Sequence, residues 1–170
     1  MGQSDVPREP TFFLRVAEST AGIGETAKYL RQGIEDVRRL AGQEISISFY
    51  AKAAANTTIS IQPVQNFGSG RSSVVGVTAQ NVSLTTAWAR FDLTFTVPSI
   101  SGKTIGTSSY LDIRFNLPLN ATYTVDFASV QVNRGAAVLP CISKAYSAAY
   151  SECLRYQYIP SLSHVVARAV

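Results

Sequence analysis

Apolar and polar residues alternate along much of this 170-residue chain, and no other feature of the sequence restricts the fold as strongly. In 110–117, for example, Leu111 and Ile113 alternate with Asp112 and Arg114. A period of two is typical of a β-strand with one buried face, because successive side chains of a strand point to opposite sides. We therefore predict strands in this segment and in four others with the same period: 44–52, 58–65, 88–97 and 121–132.

Weaker strand patterns cover three further segments: 11–17, 27–36 and 74–84. The segment 27–36 contains helix-forming residues, but Gly33 interrupts it and its apolar residues keep no helical stripe, so we expect a strand. About eight strands separated by turn residues predict an all-β fold, an antiparallel β-sandwich. In 121–132 the alternation slips by one residue before Val130, which predicts a β-bulge with Val130 on the core side.

The two ends of the chain differ from the part between them. Residues 1–10 are polar, contain two prolines and are predicted to form a flexible arm, and 11–135 is the predicted sandwich. Residues 136–170 are expected to form a short C-terminal helical segment and a tail. The helix is predicted within 143–158, where apolar residues recur at helical spacing before a proline.

Composition and charge exclude several classes of protein. Hydrophobic residues make up 46% of the chain, so it can bury a core and is not intrinsically disordered. The net charge is only +4 and the basic residues are scattered, whereas nucleic-acid binders concentrate them on one stripe. No apolar run of about 18 residues exists, so no membrane insertion is expected. The first ten residues also lack the apolar core of a secretory signal.

Cysteine and histidine are too few for a zinc fold. The chain has Cys141, Cys153 and one histidine, His164, so we predict no metal site and no cofactor. The spacing of the two cysteines permits a disulfide. Without an export signal, two buried free thiols are the expected state.

The sequence gives little support for catalysis. It contains no phosphate-binding glycine loop and no nucleophile motif, and its one histidine stands seven residues from the C-terminal end. A glycosidase would need two carboxylates across a cleft, and Asp92, Asp112 and Asp126 on predicted strands keep that alternative open. Each is more simply an outward polar residue between core residues. We predict that the protein is not an enzyme.

A polar binding surface is a better-supported prediction. One predicted strand shows Tyr50 among serines and a lysine, and another shows Tyr110 beside acidic, basic and amide groups. Proteins recognise sugars with this mixture, because an aromatic ring stacks on C–H groups while amides and charges hold the hydroxyls. The alternative is that any solvated sheet face alternates in this way without binding anything. The candidate glycan contacts are Tyr50 for stacking and, for hydrogen bonds, Gln65, Asp112, Arg114 and Asn116.

Several motifs, in order along the chain, resemble a recurrent module of tailed-phage tail fibres and other virion proteins. The run IEDVRRLAGQEISISFYAKA at 34–53 is similar to I-E-D-V-x-x-L-A-G-x-x-V-T-L-S-F-W-A-K-A in that group. The matches that follow are QNFGSGRSS, LTTAWARFDLTFTVPSISGKTIGT, YLDIRFNLP, VQVNRGAAVLP and ECLRYQY. The resemblance covers residues 11–158. Tyr50 stands where the group has tryptophan.

The resemblance implies a jelly-roll-like sandwich similar to carbohydrate-binding modules and a structural, non-enzymatic role in the phage particle. It therefore leads us to expect a virion protein of the tail-fibre, spike or tail-tip type with a host-glycan-binding domain, assembled in the host cytoplasm. The alternative is a head-decoration or adaptor scaffold that only packs on other virion proteins. Family members carry more chain upstream, so we expect an open sheet edge and a homo-oligomer, with a trimer among the options.

Overall fold

The computed structural model describes residues 13–140 and 146–153. The chain divides into two compact units, Met1–Leu139 and Pro140–Val170. In the second unit, Tyr146–Cys153 forms an α-helix, α1. The rest of the predicted C-terminal helix, the N-terminal arm and the state of the two cysteine thiols lie outside the described residues. None of the helices in the described residues is long and apolar enough to span a membrane.

In the described part of the first unit, nine antiparallel strands form two sheets. They are β1 Leu14–Glu18, β2 Tyr29–Glu35, β3 Glu44–Ala53, β4 Thr57–Asn66, β5 Val75–Gly76, β6 Gln80–Leu84, β7 Ala89–Thr96, β8 Tyr110–Asn116 and β9 Tyr123–Arg134. The four-stranded sheet has the order β1-β9-β3-β7. The five-stranded sheet has the order β2-β8-β4-β5, and β6 also pairs with β4. The predicted all-β antiparallel sandwich is confirmed, while the jelly-roll-like connectivity stays a prediction.

The core lies between the two sheets and consists of the inward half of each alternating strand. The Phe49 ring of β3 lies 5.2 Å from the Phe115 ring of β8, and Phe115 lies 5.3 Å from Phe127 of β9. All three side chains are at least 97% buried. Burying a phenylalanine contributes about 1.5–3 kcal/mol, so this aromatic contact between the sheets is a main source of stability.

A β-bulge interrupts the pairing of β3 with β9, as the slipped alternation predicted. Ser48 pairs with Gln131 but Tyr50 pairs with Ala128, so two residues of β9 oppose one residue of β3. Ser129, in the bulge, has a φ of 51°. The assignment of Val130 to the core is wrong, because the bulge leaves its side chain 46% exposed. Val132 packs against the core instead.

Two loops meet at one end of the five-stranded sheet. A β-bridge joins Ser69 to Thr107. Gly68 and Gly106 permit this approach, because a Cβ at either position would overlap a carbonyl oxygen of the other loop. Gly68 also has a φ of 87°, which only glycine adopts without strain. These glycines therefore fix the loop end of the sheet.

Candidate functional site

The outer face of the five-stranded sheet carries a row of polar side chains on its central strands. In β8, Leu111, Ile113 and Phe115 are buried in the core, which directs the residues between them outward. Their neighbours across β2 are set by the register: Tyr29 opposes Asn116, Arg31 opposes Arg114, and Gly33 opposes Asp112. On the other side, β4 places Ser60, Gln62 and Asn66 beside the same strand. We call this surface the polar row.

Asp112 lies at the base of the polar row and is fully buried. Arg114 donates a hydrogen bond of 3.0 Å from Nε to Asp112 Oδ2, and Arg31 Nη1 lies 3.6 Å from the same oxygen. The other oxygen, Oδ1, has no hydrogen-bond partner among the described residues. A buried carboxylate oxygen without a donor is costly, so the contacts of Oδ2 with the two arginines offset only part of the cost of burying Asp112.

Two tyrosines flank this charged centre. Arg31 Nη1 and Asn66 Nδ2 both donate to the Tyr110 hydroxyl oxygen, at 3.1 Å and 3.0 Å. At the other end the Arg114 guanidinium carbon lies 4.5 Å from the centre of the Tyr29 ring. Tyr110 and Asn116, the neighbour of Tyr29, are six positions apart on β8, so the two rings are attached about 20 Å apart along the sheet. A polymer lying across the polar row could contact both.

Hydrogen bonds hold several of these polar groups in place. Asn116 Nδ2 donates to Ser60 Oγ at 3.1 Å, and Gln62 Nε2 donates to the Val77 carbonyl at 2.9 Å. The Tyr110 hydroxyl, and after it Asp112, raises the pKa of Arg31 above its usual range, so this guanidinium stays charged. Groups held in this way lose little conformational entropy when a ligand binds.

The Tyr110 ring stands between two open clefts at the loop end of the polar row. One has a volume of about 470 Å³ and includes Asp36 and Ser108 in its wall, and the other has about 300 Å³ and includes Asn66 and Arg71. Asp36 and Ser108 have φ values of 62° and 57°, a conformation that is uncommon outside glycine. These clefts lengthen the surface beyond the strands.

The structure brings three of the five predicted contacts together. Asp112, Arg114 and Asn116 lie along the polar row. Gln65 belongs to the same sheet but is fully buried on its inward side, where its Nε2 donates to the Pro98 carbonyl at 2.9 Å. Tyr50 lies on β3 of the other sheet, opposite Arg90. Tyr50 and Arg114 were predicted as contacts of one glycan, but they do not share a face, because β3 and β8 belong to different sheets.

Sequence reasoning missed the contribution of β2. Tyr29 pairs with Asn116 and Arg31 pairs with Arg114, so β2 adds a second line of polar and aromatic side chains beside β8. The alternation of Tyr29, Arg31 and Gly33 was the available signal. It was weak because the strand lies at the sheet edge and only Leu30 and Ile34 of its inward side pack against the core.

The outer face of the four-stranded sheet is partly covered by the chain itself. Ser46 and Ser48 point away from the core, yet both are almost fully buried. Ser46 Oγ donates to the carbonyl of Ala137 at 3.0 Å, so the segment after β9 covers this part of the sheet.

The arrangement of carboxylates argues against the glycosidase alternative. Asp112 lies on one sheet, while Asp92 and Asp126 lie on the other, on the strands that flank β3. Their register positions on those strands are roughly 16 Å apart, whereas glycosidases need about 5–10 Å. Each carboxylate is also paired with an arginine. In the part of the chain that the structure describes, no group of acidic, cysteine or histidine residues could hold a metal ion.

No protein-family model matches this sequence, and no curated protein sequence matches it. Solved structures do match its fold. A structure reported as "CBM4 structure and function" has 25% identity over 72% of this chain and 70% of that chain, with a TM-score of 0.55. The N-terminal cellulose-binding domain of β-1,4-glucanase C from Cellulomonas fimi has 19% identity over 76% of this chain and 83% of that chain, with a TM-score of 0.54.

A phage protein is also similar in fold. The enzymatically active domain of tailspike protein 4 from bacteriophage CBA120 has 16% identity and a TM-score of 0.51. The match covers 79% of this chain but only 17% of that chain, so it concerns one part of the tailspike. The chain is thus similar to carbohydrate-binding modules and to a segment of a phage tailspike.

Proposed function

We propose that this protein is a bacteriophage virion structural protein of the tail-fibre, spike or tail-tip type, and that its polar row binds a glycan of the host surface. The observation that carries the glycan proposal is the pair of tyrosines, Tyr29 and Tyr110, that flank the arginines around Asp112. Its location would be the virion, assembled in the host cytoplasm, and its role would be binding without catalysis.

The chemistry of the polar row suits a sugar chain. Tyrosine rings offer flat apolar surfaces to the C–H faces of pyranose rings, and Tyr29 is 38% exposed. Between the tyrosines, arginine N–H groups can donate to sugar oxygens. Because these groups are held by bonds within the sheet, the surface is already organised before a ligand arrives.

The virion part of the proposal rests on the ordered sequence motifs that resemble tail-fibre modules. The similarity in fold to a phage tailspike segment and to carbohydrate-binding modules supports it. Within that proposal, an oligomer remains our expectation, because β1 and β7 form the two edges of the four-stranded sheet and an unpaired edge can accept another strand. A protein that stays monomeric at micromolar concentration in light scattering would contradict the oligomer.

A second candidate is the scaffold role, in which the sandwich only packs on other virion proteins. Its support comes from apolar side chains exposed on the four-stranded sheet. Leu14 is 49% exposed on the edge strand β1, and Val130 is 46% exposed on the adjacent strand β9. A scaffold would bury these residues against a neighbour and would not need the polar row.

Affinity electrophoresis in gels containing surface polysaccharide from candidate hosts tests the first proposal. We expect the protein to be retarded by at least one polysaccharide and Arg114→Ala to lose that retardation. Arg90→Ala is the matched control. Arg90 donates to Asp92, two positions away on the same strand, just as Arg114 donates to Asp112, but Arg90 lies on the four-stranded sheet. No retardation in any gel would favour the scaffold role.

A further inference from the structure

We infer that the glycan recognised by the polar row carries an anionic substituent, a carboxylate or a phosphate, which Arg31 and Arg114 bind together. This inference rests on the proposed function and names the chemical class of its ligand. It follows from three features of the polar row: the placement of the two arginines, the number of their free N–H groups, and the position of the acidic residues.

The register places Arg31 directly opposite Arg114 on adjacent antiparallel strands. The Cβ atoms of directly opposed residues are about 4.5–5.5 Å apart, and like charges in that position destabilise a sheet. Among the described residues, Asp112 is the only carboxylate within ion-pair distance of both arginines, and both approach the same oxygen. One unit of positive charge is therefore left over at the centre of the polar row.

Both guanidinium groups are oriented by neighbours that leave most of their donors unused. Arg114 lies against the Tyr29 ring and donates only from Nε, while Arg31 is positioned by the Tyr110 hydroxyl and donates only from Nη1. Among the described residues no partner occupies the other N–H groups of either arginine. A planar guanidinium with free paired donors fits a carboxylate or phosphate in a two-point contact.

Tyr110 adds a further donor to the same surface. Its oxygen already accepts from Arg31 and Asn66, which fills both lone pairs, so its proton is what it can offer a ligand. Arg31, Arg114 and Tyr110 thus present donors to a ligand and no free acceptor. A neutral sugar offers hydroxyls that are both donors and acceptors, whereas an anionic group offers acceptors alone and so matches this surface better.

The acidic residue of β2, Glu35, lies at the end of the polar row. Glu35 opposes Tyr110, four residues along the strand from Arg31, which is about 13 Å. Arg31 keeps 53% of its side chain exposed, so a ligand can reach it without rearrangement of the sheet. The excess positive charge therefore faces solvent where a polymer would lie.

Chemically matched polysaccharides test the inference. The host polysaccharide that retards the protein would be used in three forms: native, carboxyl-reduced, and dephosphorylated with hydrofluoric acid. We expect strong binding of the native form and at least about tenfold weaker binding of one neutralised form, which identifies the anion as carboxylate or phosphate. Equal binding of all three forms would overturn the inference and leave the proposed function intact. Binding to no polysaccharide would instead overturn the proposed function.

Arg31→Gln separates charge recognition from folding, because this side chain is half exposed. We expect Arg31→Gln to bind the native polysaccharide about tenfold or more weakly than the wild type does. For the neutralised form that the wild type binds weakly, we expect the variant and the wild type to have the same affinity. Arg90→Gln on the other sheet is the control and should bind like the wild type. A variant Arg31→Gln that binds the native polymer as tightly as the wild type would overturn the inference.

Discussion

Gly33 lies directly opposite Asp112 in the pairing of β2 with β8. Among the described residues, a Cβ on Gly33 would meet only the Tyr110 ring, at an ordinary contact distance of 3.8 Å, so there is space for a side chain at this position. Glycine inside a strand often marks a place where a ligand approaches the backbone. The open space at Gly33 lies next to Asp112, the buried carboxylate of the polar row, and we place the ligand there.

Gly33→Leu should therefore block binding without destabilising the protein. Gly33 has no positive φ, so the backbone accepts a side chain, and leucine favours a strand more than glycine does. Binding to the host polysaccharide would be measured by affinity electrophoresis and unfolding by urea. Thr94→Leu, at an outward position of β7, is the control and should bind normally. If Gly33→Leu binds as well as the wild type, the ligand does not cross this position.

The two sheets can be distinguished by their tyrosines. Tyr29→Ala should weaken polysaccharide binding by about three- to tenfold, because it removes one stacking surface from the polar row. Tyr50→Ala should leave affinity unchanged, since Tyr50 lies on the four-stranded sheet. Isothermal titration of both variants measures the difference. The reverse pattern would move the binding surface to the face that the sequence favoured for Tyr50.

Asp112 should contribute more to stability than Asp92, which is more exposed and pairs with Arg90. Asp112→Asn removes the charge that pairs with two arginines in a buried position, and we expect a loss of about 1–3 kcal/mol in the free energy of unfolding. Asp92→Asn removes a similar pairing at the surface and should change it by less than about 0.5 kcal/mol. Urea denaturation at pH 7 compares them. Equal losses would show that the burial of Asp112 has no energetic consequence.

A loop contact should make stability depend on pH in the acidic range. Glu25 and Asn120 exchange two hydrogen bonds, at 3.0 Å and 2.7 Å, and Glu25 also pairs with Lys28. The Lys28 ammonium, followed by the Asn120 backbone, lowers the pKa of Glu25 below its ordinary value of 4.5. A lowered carboxyl pKa stabilises the fold above the unfolded pKa, and this contribution is lost as the pH falls through the folded pKa.

Glu25→Gln should therefore lose stability at pH 7 and change less than the wild type between pH 5 and about pH 3. The measurement is the urea midpoint at each pH. The control is Glu44→Gln, a substitution of an exposed glutamate at the start of β3. A wild type and a Glu25→Gln variant with parallel pH profiles would contradict this role of Glu25.

The alternation of apolar and polar residues predicted the strands well, because a strand with one buried face requires this alternation. It predicted β2 and even the bulge, since an extra residue shifts the period. It misplaced Val130, because which of the two bulged residues returns to the core depends on local backbone geometry. Gln65 carried a usable signal, since it has the same parity as Ile59 and Ile61, whose side chains are buried.

The alternation could not predict which strands belong to the same sheet. Tyr50 and Arg114 both point outward from their strands, but outward from β3 and outward from β8 are opposite sides of the sandwich. Alternation gives a side chain's face relative to its own strand and says nothing about strand order. The approach of Arg31 to Arg114 likewise depends on a pairing between strands that are far apart in sequence.

The most direct test of the central claim is the binding of the purified protein to surface polysaccharides from candidate hosts, measured for the wild type, Gly33→Leu and Thr94→Leu side by side. We predict saturable binding by the wild type and Thr94→Leu and none by a correctly folded Gly33→Leu. Equal binding by all three proteins, or no binding by the wild type to any polysaccharide, would contradict it.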